Sequence, residues 1–181
     1  PVFNKSSYES TDIIACISKV TEQIVSEVIP EHKDICYLPH TVDTDIFRKI
    51  DDEEGLKKRR NEGFKDIENI ENRTIFFWNN RNARRKQSGS LLYWFKSFLD
   101  EVGHDKATLL MHTDPKDVHG QDLEYIIHHL GLSNGQVYLS REKLPPEALS
   151  VMYNIADCTI SVSDAEGFGL ATLESLACET P

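Results

Sequence analysis

The sequence predicts an α/β fold: a doubly wound parallel sheet preceded by a separate β-α-β unit. Three observations carry this. Short apolar runs rich in β-branched and aromatic residues alternate with segments whose apolar residues recur at helical spacing. The strongest run, Thr74-Ile-Phe-Phe-Trp78, is nearly continuous, as a central strand covered on both faces requires. A glycine-bearing turn, Glu166-Gly-Phe-Gly169, joins the last strand to the last helix, where open α/β sheets take their ligands.

In chain order, Asp12-Ile-Ile-Ala-Cys-Ile-Ser18 reads as a strand, and Lys19 to Val28 as a helix with Val20, Ile24, Val25 and Val28 on one face. Ile35-Cys-Tyr-Leu38 follows as a strand stopped by Pro39, which completes a β-α-β unit over residues 11–39. Glu53 and Glu54 stand four residues before Lys57 and Lys58, a favourable helical pairing, and Lys57 to Arg60 read as an exposed helix face. After the strand at Thr74–Trp78, a helix shows Leu91, Phe95, Phe98 and Val102 on one face and closes at Gly103. Ala107-Thr-Leu-Leu-Met111 is the next strand, and Leu123, Ile126, Ile127 and Leu130 mark the next helix, closed by Gly131. Gln136-Val-Tyr-Leu139 is a strand. Pro146 suits a helix start, with Leu149, Met152, Tyr153 and Ala156 facing inward. Cys158-Thr-Ile-Ser-Val162 is the strand that leads into the glycine turn.

At 181 residues the chain has room for one full hydrophobic core and a fragment of another. A net charge of −10 disfavours nucleic acid and anionic lipid as partners, so any bound anion needs a local site. No apolar run approaches the roughly 20 residues that span a bilayer. Cys16, Cys36, Cys158 and Cys178 are far apart and lack C-x-x-C pairing, which reads as buried thiols of a reducing compartment and points to the cytoplasm. His128 and His129 are adjacent on a helix and cannot share one face, so no metal is expected there. His40 and His112 lie near predicted strand ends, at the border of the cleft.

Two segments stand at strand carboxyl ends. Asn79-Asn-Arg-Asn-Ala-Arg-Arg-Lys86 carries cations on a loop that runs into a helix. There Arg81 and Lys86 approach a diphosphate from two sides, or else the segment is a solvated basic turn. Glu166-Gly-Phe-Gly-Leu-Ala-Thr-Leu-Glu174 sets Gly167 and Gly169, expected to permit positive φ and close backbone approach, at a helix N-terminus. Its two glutamates suit sugar hydroxyls better than phosphate, and Glu174 falls about 9 Å along the axis for a helix starting near Phe168.

The segment from Glu166 to Pro181 resembles the E-x(7)-E signature of the glycosyltransferase group 1 family, usually written EGFGLxxLEAMACGTP. Met152-Tyr-Asn-Ile-Ala-Asp157 looks like its Y-x-x-A-D element, Arg81 to Lys86 keeps its Arg-x(4)-Lys spacing, and Tyr37 to Phe47 is similar to its interdomain segment. The resemblance implies a Rossmann-like, GT-B donor-binding domain at 74–181, truncated at its C-terminus, with a linker and helix at 40–73. Residues 1–39 would be the tail of an acceptor-side domain. It further implies a retaining transferase that uses a nucleoside-diphosphate sugar without a metal cofactor, acting on a glycan, lipid or protein acceptor. The chain by itself should then be inactive in transfer. Arg81 and Lys86 would hold the diphosphate, Glu166 the transferred sugar, and Glu174 the ribose. The backbone of Gly167, Phe168, Gly169 and Leu170 would meet sugar and phosphate, and Val137, Tyr138 and Leu139 the base. Asn80, Gln87, Thr41 and Glu179 stand where the pattern has glycine. A sugar-nucleotide epimerase or a non-catalytic nucleotide-binding module is the other reading. A receiver domain lacks its paired aspartates, and no G-x-G-x-x-G marks a dinucleotide site.

Overall fold

The computed structural model describes residues 4–31 and 34–181, and the chain divides into two compact units, Pro1–Thr41 and Val42–Pro181. Residues 1–3, 32 and 33, included in the acceptor-side assignment of 1–39, lie outside the described residues.

In the first unit, α1 (Lys5–Glu9) precedes β1 (Ile14–Cys16), α2 (Lys19–Val28) and β2 (Ile35–Tyr37). The strands pair in parallel, Ile14 opposite Ile35 and Cys16 opposite Tyr37, and form the expected β-α-β unit. Ser18 caps α2, its Oγ accepting the Thr21 N–H at 3.0 Å. Cys16, Val25 and Ile29 form a small core, whereas Cys36, expected as a buried thiol, is exposed on the short strand β2. Val20 and Ile24, expected on the inner face of α2, are exposed, because in this unit a two-stranded sheet covers only a narrow stripe of the helix.

The second unit holds α3 (Glu53–Gly63), β3 (Thr74–Asn79), α4 (Ser88–Val102), β4 (Ala107–His112), α5 (Leu123–His129), β5 (Val137–Ser140), α6 (Pro146–Ile155), β6 (Cys158–Thr159) and α7 (Leu170–Ala177). Its strands are parallel in the order β5-β4-β3-β6. The chain therefore winds outward from β3 to β5, then crosses back to lay β6 on the other side of β3. That reversal makes a switch point between β3 and β6, where the chain leaves both strands at their carboxyl ends.

Side chains of β3 and β4 enter two cores. Ile75, Phe77 and Leu110 meet Phe47, Phe64, Ile70 and Tyr153 on one face. On the other, Trp78, Leu109 and Met111 meet Leu92, Leu99 and Leu123. Burial on both faces accounts for the unbroken apolar runs of these strands. Residues 42–73 supply Phe47, Phe64, Ile67 and Ile70 to the first core.

Three local expectations are corrected. β6 ends at Thr159 rather than Val162, because the chain turns off toward the neighbouring loop, where the Asp164 N–H bonds the Arg85 carbonyl at 2.8 Å. Glu53 and Glu54 do open α3, but Lys58 pairs with Glu62 at 3.9 Å instead of with Glu54. Arg60 is not part of an exposed face. Its side chain is largely buried, bonds Asp157 at 3.0 Å and reaches the Arg73 and Ile70 carbonyls, while Asp157 accepts the Ile75 N–H at 2.7 Å.

Two helices end in the same motif with different residues. At the end of α5, Gly131 has φ 70°, the Leu132 N–H bonds the Ile127 carbonyl and the Gly131 N–H bonds the His128 carbonyl. At the end of α7 the matching bonds run from Thr180 to Ser175 and from Glu179 to Leu176, and Glu179 has φ 57°. This Schellman geometry favours glycine, since a Cβ in the left-handed region costs about 1–2 kcal/mol. The exposed Glu179–Lys49 ion pair at 3.1 Å offsets little of that. Glu179→Gly is therefore expected to stabilise the second unit by about 0.5–1 kcal/mol in urea unfolding. A destabilised variant would show that the ion pair outweighs the strain.

Candidate functional site

Loops from β3 and β6 meet at the switch point. The first is knit by Asn82, which is wholly buried. Its Nδ2 donates to the Gln121 carbonyl at 2.7 Å, and its Oδ1 accepts the Ser88 hydroxyl at 2.7 Å. Gln121 in turn accepts the Gly89 N–H at 2.9 Å. With the loop fixed in this way, the 3₁₀ turn Arg84–Lys86 carries Lys86 inward, where it is only 7% exposed.

Lys86 Nζ bonds Glu166 Oε1 directly. The same carboxylate accepts the Ser163 hydroxyl at 3.0 Å and lies 3.5 Å from Arg85 Nη1. Burial raises the Glu166 carboxyl pKa, but the bonds from Lys86 and Ser163 outweigh it and hold that pKa below the ordinary range. Gln87 adds a second tie: its Nε2 lies 2.8 Å from both Asp164 oxygens, and its Oε1 accepts the Ser90 hydroxyl at 2.8 Å. Gln87 has φ 53°, which explains the glycine that the family pattern has there.

Arg81 lies apart from this pair. Its guanidinium makes paired bonds to Asp117 at 2.6 and 3.1 Å, and that bond, with the His119 N–H, lowers the Asp117 pKa to about 2. Together with Asn79, His112, Thr113, Arg141 and Lys143, Arg81 lines a pocket of about 270 Å³ at the strand ends. His112 Nδ1 lies 2.9 Å from the Ser140 hydroxyl, and burial pulls its pKa down.

The carboxyl-terminal half of the site is α7. It starts at Leu170 behind Gly169, whose φ of 89° suits glycine, and no side chain caps it. This start is two residues later than the sequence reading assumed, which leaves Glu174 about 6 Å along the axis. Gly167 is corrected too: it does not have a positive φ, and a Cβ there would meet nothing within 4 Å. Phe168 and Leu170 are part-exposed beside it. Glu174 accepts the Tyr153 hydroxyl at 2.7 Å, and Tyr153 accepts the Asn79 amide at 2.9 Å. Burial raises the Glu174 pKa, and the Tyr153 bond offsets part of that rise. Val137, Tyr138 and Leu139 line a pocket of about 340 Å³ with Glu124 and Arg141, and the Tyr138 ring stands edge-on to Phe64 at 4.9 Å.

The structure thus brings Lys86 and Glu166 together, sets Glu174 on Tyr153, and leaves Arg81 on Asp117. The sequence reading missed Asn82, Arg85 and Asp164, whose roles come from pairings up to 81 residues apart. Among the described residues, no group of three or more His, Cys, Asp or Glu is arranged to hold a metal ion, and no helix is long and apolar enough to cross a membrane.

Two parallel sheets flanked by helices, with loops meeting at a switch point, define a doubly wound Rossmann-like fold of the GT-B kind. Residues 60–181 match the family described as glycosyl transferases group 1, and the chain belongs to that family. Among solved structures, a glycosyltransferase from Rickettsia africae is 22% identical with a TM-score of 0.70, over 99% of this chain and 47% of that one. The C-terminal domain of a glycosyl transferase group 1 family protein from Francisella tularensis is 21% identical with a TM-score of 0.58, over 76% of this chain and 66% of that one. An E. coli protein described as trehalose-6-phosphate and bound with UDP-2-fluoro glucose is 10% identical with a TM-score of 0.68, over 98% of this chain and 46% of that one. The chain thus spans under half the length of the first and third. No curated protein matches it.

Proposed function

We propose that this chain carries the donor-binding part of a glycosyltransferase that takes a sugar from a nucleoside-diphosphate sugar and, as the family resemblance implies, transfers it with retention. The observation that supports this best is the Lys86–Glu166 pair at the switch point. A buried ammonium on a loop that leaves a strand end is suited to a phosphate, and a diphosphate can take over Lys86 from Glu166. Glu166, released and still held by Ser163, then has acceptor sites for hydroxyls of the transferred sugar. Lys86 would offset the charge that develops on the departing diphosphate, and Arg85 stands on the same carboxylate to assist. Arg81 would contribute after exchanging Asp117 for phosphate. The acceptor would be met by parts of the protein beyond the length matched here, so the chain by itself is proposed to bind donor without transferring it. The UDP-2-fluoro glucose in the E. coli structure supports including uridine nucleotides among the donors tested.

The test divides the two glutamates by calorimetry with UDP, GDP and ADP and with their glucose conjugates. Glu174→Ala should weaken both the free nucleotide and its sugar conjugate by about tenfold or more, the loss of a charge-assisted hydrogen bond. Glu166→Ala should weaken only the conjugate. Equal losses for both ligands in both variants would refute the assignment.

A further inference from the structure

We propose that Tyr153 is a positioning residue that aims the Glu174 carboxylate at the ribose hydroxyls of the nucleotide and ties it to the end of β3. The proposal rests on the reading of Glu174 as the ribose acceptor and adds how that acceptor is held.

Tyr153 sits on α6 with no exposed surface. Its ring is fixed edge-on by Phe77 at 5.0 Å and by Phe47 at 6.2 Å, contacts that a phenylalanine would make equally well. The hydroxyl therefore adds nothing to packing, and burying it is costly unless it is bonded. Its two bonds run in one direction. The phenol donates to the Glu174 carboxyl at 2.7 Å, and its oxygen is left to accept from the Asn79 amide at 2.9 Å. A chain of donors thus passes from the last residue of β3, through α6, to the carboxylate on α7. Asn79 is also the residue from which the loop to Lys86 departs. Tyr153 uses one of about four acceptor positions on the carboxylate, which leaves the others for a pair of neighbouring hydroxyls.

Electrostatics agree with this. Burial pushes the Tyr153 phenol well above its usual range, so it stays a donor at every working pH. The titratable groups facing Glu174 are Tyr153 on α6 and the Cys178 thiol beyond α7. Of these only Tyr153 lowers the pKa of Glu174, so its removal should raise that pKa further.

The experiment compares, by calorimetry, each nucleoside diphosphate that binds among UDP, GDP and ADP with its 2′,3′-dideoxy analogue and with inorganic pyrophosphate. Wild type should favour the ribose form at least tenfold over the dideoxy form, and Glu174→Ala should bring that ratio near one. Tyr153→Phe should lower the ratio about three- to tenfold and leave pyrophosphate binding unchanged. It should also shift to higher pH the point at which nucleotide affinity falls on acidification. Asn79→Ala, which leaves the ring in place, should lower the ratio in the same direction by less. A Glu174→Ala variant that keeps the wild-type ratio would overturn the ribose reading, and this proposal with it. If Glu174→Ala abolishes the ratio while Tyr153→Phe and Asn79→Ala keep it, the positioning role alone is wrong. Should Tyr153→Phe not fold, the Asn79→Ala ratio decides by the same criterion.

Discussion

Lys86→Ala is expected to weaken binding of a nucleoside diphosphate by about 1.5–3 kcal/mol, or about 10- to 150-fold, the scale of a charge-assisted hydrogen bond in a water-poor site. The lysine is buried, so some loss of stability is also expected. That loss should be modest, about 1 kcal/mol, because Glu166 is part-exposed and keeps its bonds to Ser163 and Arg85. Lys86→Arg separates charge from fit: it keeps the charge but lacks room for the guanidinium beside Glu166, so it should recover only part of the affinity. Calorimetry on folded protein, with unfolding measured alongside, checks both quantities. An alanine variant that loses stability yet binds nucleotide normally would reduce Lys86 to a structural cation.

Arg73→Met should be the more damaging substitution for the fold, costing about 3–4 kcal/mol, because a buried guanidinium serves several carbonyls at once. Arg73 is 6% exposed. It donates to the Glu68 carbonyl at 3.0 Å, to that of His104 at 3.2 Å and to that of Ala107 at 3.4 Å. These groups lie around the starts of β3 and β4, and among the described residues no other side chain donates to them. Methionine restores volume but no donor. Both tryptophans, Trp78 and Trp94, belong to the second unit, so their fluorescence follows the unfolding of that unit alone. A loss below about 1 kcal/mol would mean that water replaces the guanidinium at those carbonyls.

The strands that organise the site were legible because both of their faces are covered. Ile75 to Trp78 and Leu109 to Met111 are apolar at every position, and that pattern survives without any knowledge of neighbours. Helix ends were legible where glycine marks them, as at Gly103 and Gly131. The glutamate spacing was legible through the family pattern. Polar pairings at a distance were not. Nothing near Arg81 in the sequence announces Asp117, nothing near Lys57 to Arg60 announces that one of those four cations is buried on Asp157, and Asn82 looks like any loop asparagine. Phe47 stands alone, and Phe64, Ile67 and Ile70 recur every three residues, a spacing that fits neither the α-helical nor the strand period, so their place in a core was not read from spacing. Such contacts are fixed by topology, which local preferences do not encode.

The sheet order also bears on how the site moves. Lys86 is carried by a loop that leaves β3, an inner strand with six residues and a partner on each side. Glu166 is carried by a loop that leaves β6, a strand of only two residues whose Thr159 N–H bonds the Pro181 carbonyl at 2.6 Å. Long strands paired on both sides open only at high free energy, whereas short strands and the loops that leave them open locally at lower free energy. The crevice therefore has one anvil side and one compliant side, and fluctuations that admit a bulky ligand fall on the glutamate loop while the lysine stays in place.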